Sequence, residues 1–249
     1  MATLDRFSGH ADLYAKYRID YPPELYAYLL ARVPNRRKAW DCATGNGQVA
    51  GVLATPFEQV EATDISAQQL ENAVQQPNIR YTVCPAEQTP FADESFDLIT
   101  VAQALHWFDA EAFHREVWRV AKPGAVVAEW GYAGAQINPT IDPDFLHFYE
   151  EIIGPYWDEN RRHVEDHYAR IPFPFEAVEQ HEFTIYRHWT LDRFLNYIRT
   201  WSSVQKYLRQ HGADPVLSLA EDLEPLWGPA EREVRFPVFL RSGIKSYEL

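Results

Sequence analysis

Polar and apolar positions along this chain change their period several times, and each change marks an element. Residues 10–33 carry apolar and aromatic groups at helical spacing, broken by Tyr21-Pro22-Pro23, which predicts two short helices with a turn between them. A strand–loop–helix rhythm follows. Lys38–Cys42, Val60–Thr63, Ile79–Cys84, Phe96–Gln103 and Ala125–Trp130 read as strands. Gly47–Leu53, Ser66–Gln75 and Asp109–Val120 read as helices, the last stopped by Lys122-Pro123-Gly124. Phe96–Gln103 is nearly all apolar, as strands buried on both faces are. Strands and helices alternating at this pitch imply βαβ units and a parallel sheet, whose ligands sit outside the carboxyl ends of the strands.

Past Gly131 the rhythm changes. Asp142–Trp157 reads as a helix, followed by an acidic and aromatic stretch that ends in the Pro-rich loop Ile171–Phe175. His181–Trp189 alternates like a strand, and Thr190–Arg209 reads as one long helix with Thr190 as N-cap. Pro215–Trp227 is a further helix and Glu233–Leu240 a last strand. No internal repeat is visible. The expected organisation is one domain over 1–249: a helical lid (1–37), a cofactor-binding core (38–132), and an acceptor-side insertion with closing strands (133–249).

The sharpest local signal is Asp41-Cys42-Ala43-Thr44-Gly45-Asn46-Gly47 at the first strand-to-helix turn. Glycines there let the backbone pass close to a ligand. Asp64, 19 residues after Gly45, follows the next strand and is placed to accept hydrogen bonds from ribose hydroxyls. Gly45-x-Gly47-x-x-Ala50 also fits a dinucleotide fingerprint, so an NAD-dependent oxidoreductase has to be weighed. Asp41 opposes it. A carboxylate at the mouth of the loop repels a pyrophosphate but attracts the ammonium of a methionyl group, which points to S-adenosylmethionine.

Composition narrows the partners. Thirty-six acidic against 23 basic residues give a net charge of −13, which argues against nucleic acid. No apolar run approaches the length of a membrane helix, and the N-terminus lacks the apolar stretch of a signal peptide. Cys42 and Cys84 would end strands about 9–10 Å apart, too far for a bridge. Two unpaired thiols fit a cytoplasmic location. Aromatic residues reach 14%, enough to wall an apolar pocket for a small-molecule acceptor. Oligomeric state leaves no trace in the sequence.

On these residues the chain resembles the class I S-adenosylmethionine-dependent methyltransferases, whose first motif is Asp/Glu-x-Gly-x-Gly-x-Gly, with Ala43 in place of the first glycine. Asp64-Ile65-Ser66 resembles the second motif, and Ala86-Glu87 with Pro90-Phe91 and Ser95–Ile99 the third and fourth. Arg119–Gly124 resembles the turn before the fifth strand. Many relatives have Asp just before the Ala-Glu pair; Pro85 stands here, leaving the adenine to backbone groups or Glu87. Gln103–Phe108, Tyr197–Ser202 and Tyr14–Pro22 resemble the trans-aconitate-methyltransferase-like branch of the type 11 family. The resemblance implies a Rossmann-like α/β fold: a seven-stranded, mostly parallel sheet with an antiparallel final pair, helices on both faces and a helical lid. It also implies that Thr44, Gly45, Gly47, Gln103 and Ala104 line the cofactor.

Methyl transfer depends mainly on holding acceptor and methyl in line in a dry pocket. His106, following the fourth strand, is the candidate base or acceptor-orienting group. Tyr14, Tyr17 and Arg18 precede the sheet on a segment placed to fold over the cofactor, where Arg18 would pair a carboxylate. Trp107, Arg161, Tyr168 and Trp201 are acceptor-pocket candidates, Arg161 and Arg162 suiting a carboxylate-bearing substrate unless neighbouring acids neutralise them. His163 and His167 are spaced like zinc ligands, but no third ligand is evident and no metal is expected. A non-catalytic S-adenosylmethionine-binding sensor fits the same motifs and stays open at this point.

Overall fold

The computed structural model describes residues 19–246. Seven strands form one sheet in the order β3-β2-β1-β4-β5-β7-β6. They are β1 (Lys38–Cys42), β2 (Gln59–Asp64), β3 (Ile79–Val83), β4 (Phe96–Ala102), β5 (Ala121–Tyr132), β6 (Glu176–Trp189) and β7 (Arg232–Ile244). The first five pair in parallel, and β7 inserts antiparallel between β5 and β6. The expected sheet and its antiparallel closing pair are both present.

Period-two alternation divides the core between the faces of the sheet. Ala39, Leu98 and Val126 point into one cluster; their neighbours Trp40, Ile99 and Val127 point into the other. Every residue of β4 is buried, as its nearly all-apolar run predicts. Helices α1 (Pro23–Arg32), α2 (Gln48–Leu53), α3 (Ala67–Glu71) and α4 (Ala110–Val120) accompany the parallel strands. Because β1 to β3 progress one way and β4 starts on the other side of β1, the strand order reverses between β1 and β4. A ligand is expected at the carboxyl ends of those two strands.

A helical cap comes from α5 (Asp142–His147), α6 (Arg161–Glu165), α7 (Leu191–Arg199), α8 (Ser202–His211) and α9 (Val216–Trp227). Three expected elements differ here and nearby. Asp142–Trp157 is not one helix: after His147 the chain widens into a π turn, Ile153 N–H donating to the Phe148 carbonyl five residues back at 3.0 Å. Thr190–Arg209 breaks at Thr200-Trp201. The Thr200 hydroxyl donates back to the Tyr197 carbonyl at 2.6 Å and Trp201 turns extended, which sends its indole inward. Ser66–Gln75 is helical only over Ala67–Glu71, started by the Ser66 side chain. Among the described residues no helix is long and apolar enough to cross a membrane.

Candidate active site

The loop after β1 is organised from below. Helix α2 begins at Gly47, whose φ of +78° suits glycine and whose missing side chain leaves the first amides uncapped. Asp41, 1% exposed on β1, supplies the acceptor instead. Its Oδ2 accepts from the Ala50 amide at 3.1 Å and the Thr44 hydroxyl at 2.5 Å, and its Oδ1 from the Thr100 hydroxyl at 3.0 Å. Thr100 is the register partner of Asp41 on β4, so this bond spans the point where the strand order reverses. The sequence reading put Asp41 at the mouth of the loop to meet an ammonium; the structure puts it beneath. Its negative charge remains under the helix N-terminus, where the dipole favours it.

Ala43, the departure from the glycine pattern, has φ +52°. That left-handed conformation costs a residue with a Cβ about 1 kcal/mol. A Cβ on Gly47 would come within 2.4 Å of the Tyr81 hydroxyl, so only glycine fits there as the chain stands. Residues 41–47 contain no cation that could hold a pyrophosphate.

Asp64 closes the loop from β2. Its Oδ2 accepts from the Gly45 amide at 2.8 Å and its Oδ1 from the Ser66 amide at 2.9 Å. A carboxylate oxygen accepts more than one bond, so ribose hydroxyls can add to these. Ile65 is 39% exposed beside it and Val83, its neighbour across the strand pair, 54%, which leaves apolar surface for a purine face. Ala86 is buried, and Glu87 Oε1 accepts from the Asp109 amide at 3.0 Å, which ties this segment to the start of α4. A cation-free loop over a buried carboxylate, bordered by the second carboxylate Asp64, fits a phosphate-free nucleoside. Tyr14, Tyr17 and Arg18 lie outside the described residues.

Beyond β4, Gln103 has φ +56°. Its side-chain amide accepts from Tyr132 N–H at 2.8 Å and donates to the Tyr132 carbonyl at 3.2 Å. That amide is committed to β5, so Gln103 can offer the cofactor its backbone. Gly131 accommodates the arrangement, since a Cβ there would lie 2.6 Å from Gln103 Oε1. Ala104, buried, then leads into the turn Leu105–Trp107.

His106 on that turn is 8% exposed, with Trp107 tilted beside it at 4.8 Å between centroids. Its Nδ1 lies 3.5 Å from the Tyr168 hydroxyl. Burial, then the nearby charges of Arg161 and His163, push its pKa down to about 3. The imidazole is therefore neutral and a feeble proton acceptor, suited to orienting an acceptor rather than deprotonating it.

The cap faces this turn. Arg161 stacks on Trp157 with its guanidinium 4.7 Å from the ring centroid and donates from Nε to the Tyr149 hydroxyl at 3.1 Å. Asp158 pairs with Lys206 at 2.7 Å, and Glu165 accepts from Tyr149 at 2.9 Å. Among the described residues Arg161 forms no ion pair. Arg162 is exposed. Trp201 packs against Trp157 at 5.7 Å and Tyr149 at 5.8 Å, completing an aromatic wall. Tyr168 is fully buried, and burial raises its pKa. His167 lies past the end of α6 and stacks on Phe239 at 4.6 Å, which breaks its helical spacing from His163. Sequence reasoning missed Thr100, Tyr149, Trp157 and the buried trio His114, Glu129 and Arg241. A lone glutamate inside the apolar run Ala125–Trp130 was the available signal for the last group.

Known proteins give the same answer as this geometry. The family model described as a methyltransferase domain matches residues 40–128. A solved candidate type II methyltransferase of Anaeromyxobacter dehalogenans is 37% identical, with a TM-score of 0.86 over 93% of this chain and 100% of that one. A candidate methyltransferase of Dictyostelium discoideum is 28% identical over 95% of this chain and 93% of its own length. A phosphoethanolamine N-methyltransferase of Haemonchus contortus, solved with S-adenosylhomocysteine, shares the fold at 16% identity and a TM-score of 0.53, covering 96% of this chain and 57% of that one. The chain belongs to the class I S-adenosylmethionine-dependent methyltransferases. It is an enzyme, and S-adenosylmethionine is its cofactor.

Proposed function

We propose that this methyltransferase acts on a small organic acid and methylates a carboxylate oxygen. The observation that carries the reading is Arg161: a guanidinium held against an aromatic wall and a tyrosine hydroxyl, with no carboxylate of the described residues paired to it. A partly buried cation without a counterion is costly, and an anionic acceptor relieves that cost. Bound S-adenosylmethionine supplies a methyl group already activated by its sulfonium. The acceptor arrives ionised, so no residue has to remove a proton, which accords with the feeble basicity of His106. Arg161 aligns the carboxylate; His106 and Trp107 limit its approach; Trp157, Tyr149 and Trp201 exclude water.

This reading places the chain in the trans-aconitate-methyltransferase-like branch of the type 11 family. A net charge of −13 favours a small acceptor over nucleic acid, and two free cysteines favour a reducing, cytoplasmic compartment. Incubation with S-adenosylmethionine and a panel of small mono-, di- and tricarboxylic acids, beside matching alcohols, amines and thiols, tests it. Methyl esters should accumulate, detected by mass spectrometry. Arg161→Met should raise the acceptor KM about tenfold to a hundredfold, the loss of a charge-assisted hydrogen bond, with cofactor affinity unchanged. Methylation confined to alcohols, amines or thiols, or an unaltered KM in the variant, overturns the proposal.

A further inference from the structure

A buried charge network stands behind Tyr168. Glu129 on β5 has no exposed surface. His114 Nε2 of α4 lies 2.7 Å from its Oε1, and Arg241 Nε of β7 donates to its Oε2 at 2.7 Å. The other end of the same guanidinium turns to the cap: Nη1 donates to the carbonyls of Tyr168 at 3.0 Å and Ile171 at 2.7 Å. Those carbonyls belong to a segment in which His167 and Tyr168 both have positive φ, +54° and +61°. Bulky L-residues avoid that region, and two in succession need outside support.

A buried ion pair is an expensive way to fill space, which apolar side chains fill as well or better. Apolar side chains, however, cannot hold two carbonyls at a fixed distance from a strand. The planar fork of arginine can, because it donates in two directions at once. Beyond the held turn, the Tyr168 hydroxyl reaches to 3.5 Å from His106 Nδ1, and the Leu105 backbone faces the same hydroxyl.

We propose that the Arg241–Glu129 pair, braced by His114, is a positioning device for the acceptor site: it fastens the His167–Tyr168 turn to β5 and β7 so that the Tyr168 hydroxyl sets the ring of His106. None of the three residues needs to touch cofactor or acceptor to do this. The functional weight of the proposal rests on His106 facing the acceptor, as in the reading above.

Ring-nitrogen NMR of histidine-labelled, full-length protein saturated with S-adenosylhomocysteine tests the coupling without requiring the acceptor. His106→Ala assigns the His106 signals by their loss, and Tyr168→Phe defines the shift caused by removing the hydroxyl. Glu129→Gln should move the same signals in the same direction, and the Glu129→Gln/Tyr168→Phe double variant should move them no further than Tyr168→Phe alone. Arg241→Lys keeps the charge but replaces the two-ended fork with a single nitrogen, which does not span the carboxylate and the carbonyls as Nε and Nη1 do, and serves if Glu129→Gln does not fold. His106 signals unmoved in whichever of the two folds, or additive shifts in the double variant, overturn the proposal. A normal turnover rate for His106→Ala, measured on an acceptor identified from the panel, would instead sink the reading of the acceptor site and leave the spectral result to stand by itself.

Discussion

In the loops after β1 and β2, two carboxylates meet backbone amides close by; at the cap and behind it, charged side chains meet one another or aromatic faces. Asp41 and Asp64 accept from amides of the loop and helix they border, those of Ala50, Gly45 and Ser66. Arg161 has aromatic and hydroxyl neighbours but no counterion among the described residues, and Arg241 reaches 112 residues back along the chain to Glu129. The difference teaches how the two substrates are treated. The cofactor half is self-satisfied before its ligand arrives, so its shape is fixed by the chain alone. At the cap, Arg161 has no counterion among the described residues, which on the proposed function an anionic acceptor would supply.

Three substitutions would break or sharpen that contrast. The largest effect at neutral pH belongs to Asp41→Ala, which strands the Ala50 amide and two threonine hydroxyls beneath the loop. Global stability should fall by about 3 kcal/mol, read from urea unfolding, since bonds to a buried charge carry the top of the hydrogen-bond range. An unchanged midpoint would show that the loop is not organised from below. Next is the pH response of His106. Its native pKa of about 3 lies below the ordinary 6.5, so between those values the unfolded chain binds a proton that the native chain does not. Stability from this group is therefore full above pH 6.5 and is lost as pH falls toward 3. His106→Gln should gain on the wild type at up to about 1.4 kcal/mol per pH unit on acidification, and parallel stability–pH curves would refute the burial assigned to the ring. The smallest effect is Ala43→Gly, which removes the left-handed penalty while loosening the unfolded chain. A net change within about 1 kcal/mol in the stabilising direction is expected in the same unfolding assay, and a clear loss would contradict it.

The cofactor half was legible because its instructions are local. A mostly apolar run gave β4, a glycine loop after β1 gave the turn, and Asp64 fell at the end of β2, where it bonds that loop. Even there, sequence pattern placed Asp41 in the right element but not on the right side of the loop, because register against Thr100 is a fact of the sheet. The cap was legible only as residue types. Arg161, Tyr168 and Trp201 could be named, yet the break that turns Trp201 inward hangs on one hydroxyl-to-carbonyl bond of Thr200, and the left-handed Tyr168 answers to Arg241, distant in the chain. No periodicity encodes the Glu129–Arg241 pair, whose members lie on different strands and read singly as a stray acid and a stray base.

Gln103 has a consequence of a different kind. With one side chain impersonating a peptide group, it adds a last rung between β4 and β5 after the backbone has already turned away. The Gln103 N–H still donates to the Trp130 carbonyl, but its own carbonyl is released from the ladder, and the span that carries Ala104, His106 and Trp107 can turn away without fraying the strand it leaves. Glutamate at this position would keep the acceptor and lose the donor, and the rung would open on one side.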